Sequence, residues 1–235
     1  MRTGIKDTIF FMTDDIGLPR VTAPVSLKTA AAQEIRRRIF SGELRPGDKI
    51  DQDEIADYLG VSKVPVREAL IALEIEGVVH LPPRRGAFVA MMTRDDVRDH
   101  YWILGVVSGR AAARAATTIS ERTLDALDAI LGRMEESVSS AERELLNFDF
   151  HRLINRASGS RRLISELKVL GSAGPHGFYE AHLEWPDVAD RDHREILAAL
   201  RSRSAAQAHA LTEAHFVRGG DHAVAMLESR GFWGT

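Results

Sequence analysis

Residues 51–70 read DQDEIADYLGVSKVPVREAL, and this stretch predicts two short helices joined by a turn at Gly60. Asp51 stands three residues before Glu54, which is the spacing of a helix capping box, and Ser62 is placed to cap the second helix. The inward face of the second helix is an apolar stripe with helical spacing, formed by Val66, Ala69, Leu70 and Leu73. The segment therefore has the pattern of a helix-turn-helix.

The flanking sequence extends this pattern on both sides. Before it, a helix is predicted from Ser26 to just before Gly42, because apolar residues recur every four positions at Leu27, Ala31, Ile35 and Ile39. After it, residues 78–81 and 87–89 are typical of two strands around a turn that contains proline and glycine. We therefore predict a winged helix-turn-helix over residues 26–92, with a small β-hairpin as its wing.

Residues 93–235 have a different character, since the pattern is helical almost throughout and rich in Ala, Leu, Arg and Glu. Breaks are predicted near Gly159, at residues 171–177, at Pro186 and at Gly219-Gly220, giving six or seven helices. The predicted fold is mainly α, with the winged helix-turn-helix followed by an all-α antiparallel helical bundle.

Composition limits the classes of function. The formal net charge is −3, and residues 28–92 contain ten Lys and Arg against ten Asp and Glu, so any contact with DNA must come from local clusters of cations. The absence of cysteine excludes disulfides and thiolate metal sites. Residues 1–25 have no clear period and are predicted to be an irregular N-terminal arm. Their apolar run at residues 9–12 is too short for a signal peptide or a membrane span, so we expect a soluble, cytoplasmic protein without a membrane partner.

Two groups of residues are candidates for contact with DNA. The N-terminal half of the second helix of the motif contains Ser62, Lys63 and Arg67. None of them belongs to the inward apolar stripe, so their side chains can contact bases, as a helix in the major groove requires. Arg84, Arg85 and Gly86 form the tip of the predicted wing, which suits contact with the DNA backbone or minor groove. Residues 36–38, three consecutive arginines, are further candidates for phosphate contacts. Each cation alone is also compatible with an ordinary solvated face.

Several runs within residues 27–89 resemble the GntR family of transcription regulators: GELRPG at 42–47, LGVSKVPVREAL at 59–70, LEIEG at 73–77 and RGAFV at 85–89. The resemblance implies that Ser62, Lys63, Arg67 and the wing around Gly86 face double-stranded DNA. It also implies a homodimer on a pseudo-palindromic operator. The family usually has Arg at the position of Lys63, and Lys cannot make the same two-pronged contact with a base.

The chain has nine histidines, and three of those in the helical half are candidates for a metal site. His151 follows Asn147 by four residues on the same helical face, His193 opens an apolar stripe, and His215 belongs to the last long helix. Three imidazoles and an amide oxygen would suit a divalent ion such as zinc or nickel. From the sequence alone, ordinary hydrogen-bonded or surface histidines are the more common explanation of this pattern, because metal sites without cysteine or close spacing give only a weak signal.

The helical half resembles the FCD sensor domain of the FadR subfamily, through Phe150-His151, the run DHREILAAL at residues 192–200, and Ala214-His215. In metal-binding members the ligands are Asp-x-x-x-His and two later histidines, which correspond here to Asn147, His151, His193 and His215. The resemblance therefore implies a divalent metal at these positions, with Asn in place of the usual Asp. His222 is an outside candidate.

The resemblance also implies a small-molecule effector, often a carboxylate that completes the shell of the metal. Many members carry an Arg and a Glu on the first helix of the domain, where this chain has Leu104 and Ser108. This departure favours a less charged ligand.

Three functions are compatible with these features. The first is a non-enzymatic transcription regulator, usually a repressor, whose operator affinity depends on an effector. The second is a metal-dependent hydrolase with a three-histidine site and an appended DNA-binding domain. The third is a constitutive DNA-binding dimer without an effector.

Overall fold

A computed structural model describes residues 26–175 and 185–234, so the predicted arm over residues 1–25 lies outside the described residues. Within the described ranges there are nine helices: α1 (Leu27–Phe40), α2 (Gln52–Leu59), α3 (Lys63–Ile75), α4 (Arg94–Thr118), α5 (Glu121–Glu136), α6 (Ser140–Ala157), α7 (Arg161–Ala173), α8 (Trp185–Arg201) and α9 (Ala205–Ser229). The same ranges contain three strands: β1 (Lys49–Ile50), β2 (Val79–His80) and β3 (Ala87–Val89). The fold is mainly α, as predicted.

The helix-turn-helix begins and ends at the residues that the sequence singles out. Oδ1 of Asp51 accepts hydrogen bonds from the backbone N–H groups of Asp53 and Glu54 and caps α2. Gly60 ends α2 with φ of 65°, a left-handed conformation that glycine adopts without a steric cost. Ser62 occupies the N-cap position of α3 but makes no side-chain capping bond, so its hydroxyl remains exposed.

The predicted hairpin of β2 and β3 is present, and β1 extends it to a three-stranded antiparallel sheet. Its strand order is β1-β3-β2, so β3 lies between the predicted partner β2 and the additional strand β1. Lys49 pairs with Phe88 on one side of β3, and Val79 pairs with Val89 on the other. Strand β1 is only two residues long and offers no alternation for sequence analysis to detect.

Two of the three consecutive arginines on α1 are directed into the protein and are therefore not available for phosphate contacts. Arg36 is buried and pairs with Glu76 at the end of α3. Arg38 is also buried and donates to Glu34 at 2.8 Å and to Glu54 at 2.5 Å. Buried cations need paired acids because an unpaired buried charge is costly. These pairs join α1 to α2 and α3.

The closest packing in the helical region is between α4 and α9. An added Cβ at Gly105 would lie 3.0 Å from the carbonyl oxygen of Glu213, and one at Gly109 would lie 2.8 Å from that of His209. The predicted break at Gly219-Gly220 is wrong, since α9 runs through both residues. They are buried against α4, where a Cβ at Gly220 would meet that of Tyr101 at 2.9 Å. These glycines permit close approach of two helices instead of ending one.

The residues after α9 connect the two halves of the chain. Nη1 of Arg230 donates to the carbonyl oxygen of Phe40 at 2.9 Å, and the indole N–H of Trp233 donates to that of Met92 at 2.7 Å. Phe232, between them, is buried in a core shared by the winged helix-turn-helix and by α4 and α9. The winged helix-turn-helix (residues 26–92, the head) is thus bonded directly to the residues that follow α9. Across the described ranges, no helix is long and apolar enough to cross a membrane.

Candidate metal centre and nucleic-acid interface

Three buried histidines from three helices meet inside the helical region: His151 on α6, His193 on α8 and His215 on α9. The Nε2 atom of His151 lies 3.2 Å from Nε2 of His215 and 3.2 Å from Nε2 of His193. Ring nitrogens bound to one zinc ion at about 2.1 Å lie roughly 3.0 to 3.4 Å apart, for bond angles between a right angle and a tetrahedral angle. The spacing of the three imidazoles therefore fits a shared divalent ion.

Burial favours the form of these imidazoles that binds a metal. It lowers the pKa of His151 and of His193 well below the ordinary value for histidine, and the neighbouring His215 lowers both further. Both rings are therefore neutral at pH 7 and carry a lone pair, which metal coordination requires.

A second layer of hydrogen bonds orients the third histidine. Oδ2 of Asp192 on α8 lies 3.2 Å from Nδ1 of His215 and accepts a hydrogen bond of 2.9 Å from Nε of Arg218. Burial raises the pKa of Asp192, but the bonds from His215 and Arg218 outweigh burial, and the pKa is lowered. The ionised carboxylate can accept a hydrogen bond from Nδ1–H of His215, with Nε2 of the same ring facing His151. Sequence analysis did not single out Asp192 or Arg218 as site residues. Their positions are the available signals: Asp192 directly precedes His193, and Arg218 follows His215 by three residues.

Asn147 lies on α6 one turn before His151, as its spacing predicts. Its Oδ1 atom is buried and has no hydrogen-bond partner among the described residues, and the same holds for Nδ1 of His193. A buried oxygen without a donor is unfavourable unless another group, such as a cation or a ligand, satisfies it. The outside candidate His222 is not part of the three-histidine cluster, and its ring packs against Trp185.

The surroundings of the cluster are aromatic and weakly polar. Phe216 lies 4.8 Å from the ring of His151, and Phe150 lies 4.7 Å from that of His193, measured between centroids. Leu104 and Ser108 on α4 are both buried. Oγ of Ser108 and Oγ1 of Thr212 are also buried and, within the described part of the chain, have no partner. Each of these two hydroxyls, one on α4 and one on α9, is therefore a buried polar group that lacks a partner among the described residues.

In the winged helix-turn-helix, the residues predicted to contact DNA at the start of α3 are exposed. Nζ of Lys63 lies 2.5 Å from Oδ1 of Asp53 on α2, so this cation has an acidic partner within the head. The described residues provide no hydrogen-bond or ion-pair partner for the guanidinium of Arg67. Of the two cations on this helix face, Arg67 is therefore the one that no acidic side chain of the described residues binds in place of DNA.

The tip of the wing is a tight turn with its cations directed outward. The backbone N–H of Arg85 donates to the carbonyl oxygen of Pro82 at 3.1 Å and closes the turn. Arg84 and Gly86 have φ values of 62° and 95°, both in the left-handed region. Arg84, Arg85 and Gly86 are all exposed. Two exposed arginines thus extend from a turn that a backbone hydrogen bond closes.

Comparison with known proteins agrees with this division of features. Residues 27–89 match the family described as "Bacterial regulatory proteins, gntR family", and residues 99–218 match the family described as "FCD domain". An uncharacterized HTH-type transcriptional regulator of Mycobacterium tuberculosis is 31% identical over 186 residues, covering 79% of this chain and 76% of the relative. The HTH-type transcriptional repressor RspR of Escherichia coli is 26% identical over 174 residues, covering 72% of this chain and 76% of RspR.

Solved structures share the fold. Escherichia coli McbR/YncC matches 87% of this chain and 98% of its own length, with a TM-score of 0.66 and 21% identity. A putative transcriptional regulator GntR from Rhodococcus sp. RHA1 matches 84% of this chain and 97% of its own, with a TM-score of 0.58 and 23% identity. The chain therefore belongs to the gntR family of bacterial transcription regulators, with a winged helix-turn-helix followed by an FCD domain.

Proposed function

We propose that this regulator is a repressor that binds a pseudo-palindromic operator as a homodimer and responds to an effector in its helical half. The single observation that carries the DNA-binding assignment is the exposed guanidinium of Arg67, which has no acidic partner in the described part of the head. Repression is supported by the relative RspR, which is named a transcriptional repressor. The proposed division is a DNA-binding unit over residues 26–92 and a sensor and dimerisation unit over residues 93–235.

In the proposed complex α3 lies in the major groove. Arg67 donates both guanidinium arms to O6 and N7 of a guanine, and Ser62 and Lys63 contact a base edge or a phosphate. Arg84, Arg85 and Gly86 place the wing along the backbone or in the minor groove. Asp53 competes with DNA for Lys63, which leaves Arg67 as the main reader of sequence.

The proposed sensor holds a divalent ion, zinc or nickel, between His151, His193 and His215. Asn147 is the proposed fourth ligand, because its Oδ1 atom is buried without a donor. With these four protein ligands, the ion would take an oxygen of the effector by expanding its coordination number beyond four. Asp192 holds the tautomer of His215, while Phe150 and Phe216 exclude water from the cluster.

The proposed effector is a small metabolite with one carboxylate and few other charges. Its carboxylate would complete the shell of the metal, and its remaining polar groups would bond to the hydroxyls of Ser108 and Thr212. Leu104 offers no cation for a second acidic group. The site therefore favours a hydroxy or keto monocarboxylate over a dicarboxylate.

The experiment begins with selection of binding sites from random duplex DNA by the purified protein. Affinity for the selected operator is then measured by a mobility-shift assay at fixed salt for the native protein, Arg67→Ala and the exposed control Arg122→Ala. We expect Arg67→Ala to lose sequence-specific binding and the control to keep it. Retention of specific binding by Arg67→Ala would overturn the assignment of α3 as the reading helix.

The sensor is tested by measuring the metal content of the purified protein and its operator affinity with and without zinc or nickel. We expect about one ion per chain and its loss in His193→Ala. Metal-dependent ester or amide hydrolysis by the metal-loaded protein would favour the alternative of a hydrolase. Operator affinity that no metal and no small carboxylate changes would favour a constitutive DNA-binding dimer.

A further inference from the structure

Val64 lies in the first turn of α3 and is exposed, with a relative solvent accessibility of 62% for the residue. Its neighbours Pro65 and Val66 are buried and provide the packing of this turn against the rest of the head. Single exposed apolar residues are common on protein surfaces, so exposure alone does not indicate a function. The position of Val64 on the helix is what distinguishes it.

Val64 shares the outward face of α3 with the cation proposed to read the operator. It precedes Arg67 by three residues, which places the two side chains as neighbours on one helical face. It follows Ser62 and Lys63 directly. Valine in a helix has one strongly preferred rotamer, so its two methyl groups occupy fixed positions beside the guanidinium of Arg67. The first turn therefore presents a rigid apolar group among polar ones.

The major groove contains one apolar group that such a side chain can recognise. Among the edges of the four base pairs, only thymine displays a methyl group, at its C5 atom. We propose that Val64 reads sequence by packing its methyl groups against the C5-methyl of one thymine in each operator half-site. This inference depends on the proposed function, since it requires α3 to lie in the major groove.

Two other exposed apolar residues on α3 provide a comparison. Ile71 and Ile75 are 55% and 83% exposed, and both follow Val64 along the helix. Ile71 lies seven residues later, about 10 Å further along the axis. Residues at the N-terminal end of a recognition helix are the ones that contact base edges. Ile71 is therefore a matched control, exposed and apolar but too far along α3 to reach the same base.

The test uses the operator selected above, in which each thymine is replaced in turn by deoxyuridine. Deoxyuridine differs from thymidine only by the missing methyl, so pairing and phosphate contacts are unchanged. For the native protein we expect replacement at one position of each half-site to weaken binding about four- to tenfold, the loss that one buried methyl contact gives. Val64→Ser should bind the thymine operator more weakly and show no further loss with deoxyuridine. Ile71→Ser should behave like the native protein.

The possible outcomes separate this inference from the proposed function. Specific binding that depends on Arg67 but tolerates every replacement by deoxyuridine would overturn the role of Val64 and leave the regulator intact. The same conclusion follows if Val64→Ser retains the native loss at the sensitive thymine. Loss of the Arg67 dependence itself would instead overturn the placement of α3. Since Val64 and Ile71 are both exposed, Val64→Ser and Ile71→Ser are expected to keep the native melting temperature, which checks that both variants are folded.

Discussion

Nδ1 of His215 lies 3.2 Å from Oδ2 of Asp192, and both side chains are buried. The carboxylate of Asp192 on α8 also accepts a hydrogen bond from Nε of Arg218. Two side chains of α9 therefore contact this carboxylate. Because the pKa of Asp192 is lowered, its carboxylate is ionised and can only accept hydrogen bonds. The pair therefore favours a proton on Nδ1 of His215 and leaves Nε2 of the ring to face His151.

Asp192→Asn is expected to weaken zinc affinity about 10- to 100-fold, the usual effect of removing a carboxylate that orients a metal-binding histidine. The amide can donate to Nδ1 and so stabilise the wrong tautomer. Zinc affinity is measured by competition with a chelator, and the exposed Asp187→Asn on the same helix is the control. Unchanged zinc affinity in Asp192→Asn would argue against a metal role for this pair.

Asn147→Asp is expected to raise zinc affinity by roughly tenfold or more, because a carboxylate adds a charge attraction that the amide lacks. In the metal-free protein the same substitution buries a charge without a partner, so the melting temperature should fall. Both quantities are compared with those of Asn155→Asp, two turns later on α6. A gain in metal affinity equal to that of the control would remove Asn147 from the ligand set.

The metal-free protein is expected to lose stability as the pH falls below about 6.5, the ordinary pKa of histidine. Burial, together with the neighbouring His215, lowers the pKa of His151 and of His193, so the unfolded chain binds protons first in this range. Each unit by which a folded pKa is depressed removes about 1.4 kcal/mol once the pH has passed below both values. Urea unfolding between pH 7.5 and 5 measures this slope.

In that experiment His193→Gln should flatten the dependence on pH, because one of the two buried imidazoles is gone. His209→Gln, which removes a histidine that is not buried, is the matched control and should leave the dependence nearly as it is. A native slope in His193→Gln would contradict the prediction.

Asp53→Asn is expected to strengthen DNA binding several-fold on all sequences and to steepen its dependence on salt by about one counterion. Asp53 lies 2.5 Å from Lys63, and both side chains are more than half exposed, so the pair contributes little to folding. Removing the acid frees the ammonium for a phosphate. Mobility shifts at several salt concentrations measure the slope, with Asp57→Asn on the same helix as control. An identical salt slope in both variants would show that Lys63 stays away from the backbone.

Trp233→Phe is expected to keep the fold and to reduce the effect of metal on operator affinity. The substitution keeps an aromatic side chain but replaces the indole by a smaller phenyl ring and removes the N–H that donates to Met92 at the junction between the two halves of the chain. One lost hydrogen bond lowers stability by about 1 kcal/mol. Operator affinity with and without zinc is compared between this variant and Trp102→Phe, an exposed tryptophan on α4. Full retention of the metal effect would place the coupling elsewhere.

The sequence-based predictions were most accurate where structure depends on local signals. The starts of α1 and α2 follow from the capping side chains of Ser26 and Asp51, and α1, α2 and α3 end next to glycines with left-handed conformations. The three histidines of the cluster were also predicted, from their positions on inward helical faces and from the family resemblance.

The sequence-based predictions were wrong, or could not be made, where structure depends on contacts between distant segments. Gly220 does not break α9, because it is packed against Tyr101 of α4. The role of Asp192 depends on how α8 packs against α9, which no spacing within either helix records. Arg36 and Arg38 looked like phosphate ligands because their partners, Glu76 and Glu54, lie far away in sequence.

The pairing of Arg36 and Arg38 with acids inside the head has a consequence for how the regulator searches a genome. Attraction to arbitrary DNA grows with the number of cations that can replace counterions on the backbone, and these two cations are withdrawn from that number. We therefore expect little of the protein to be sequestered on unrelated chromosomal sites. A small number of molecules per cell would then suffice to keep a single operator occupied, since occupancy depends on the ratio of specific to competing sites.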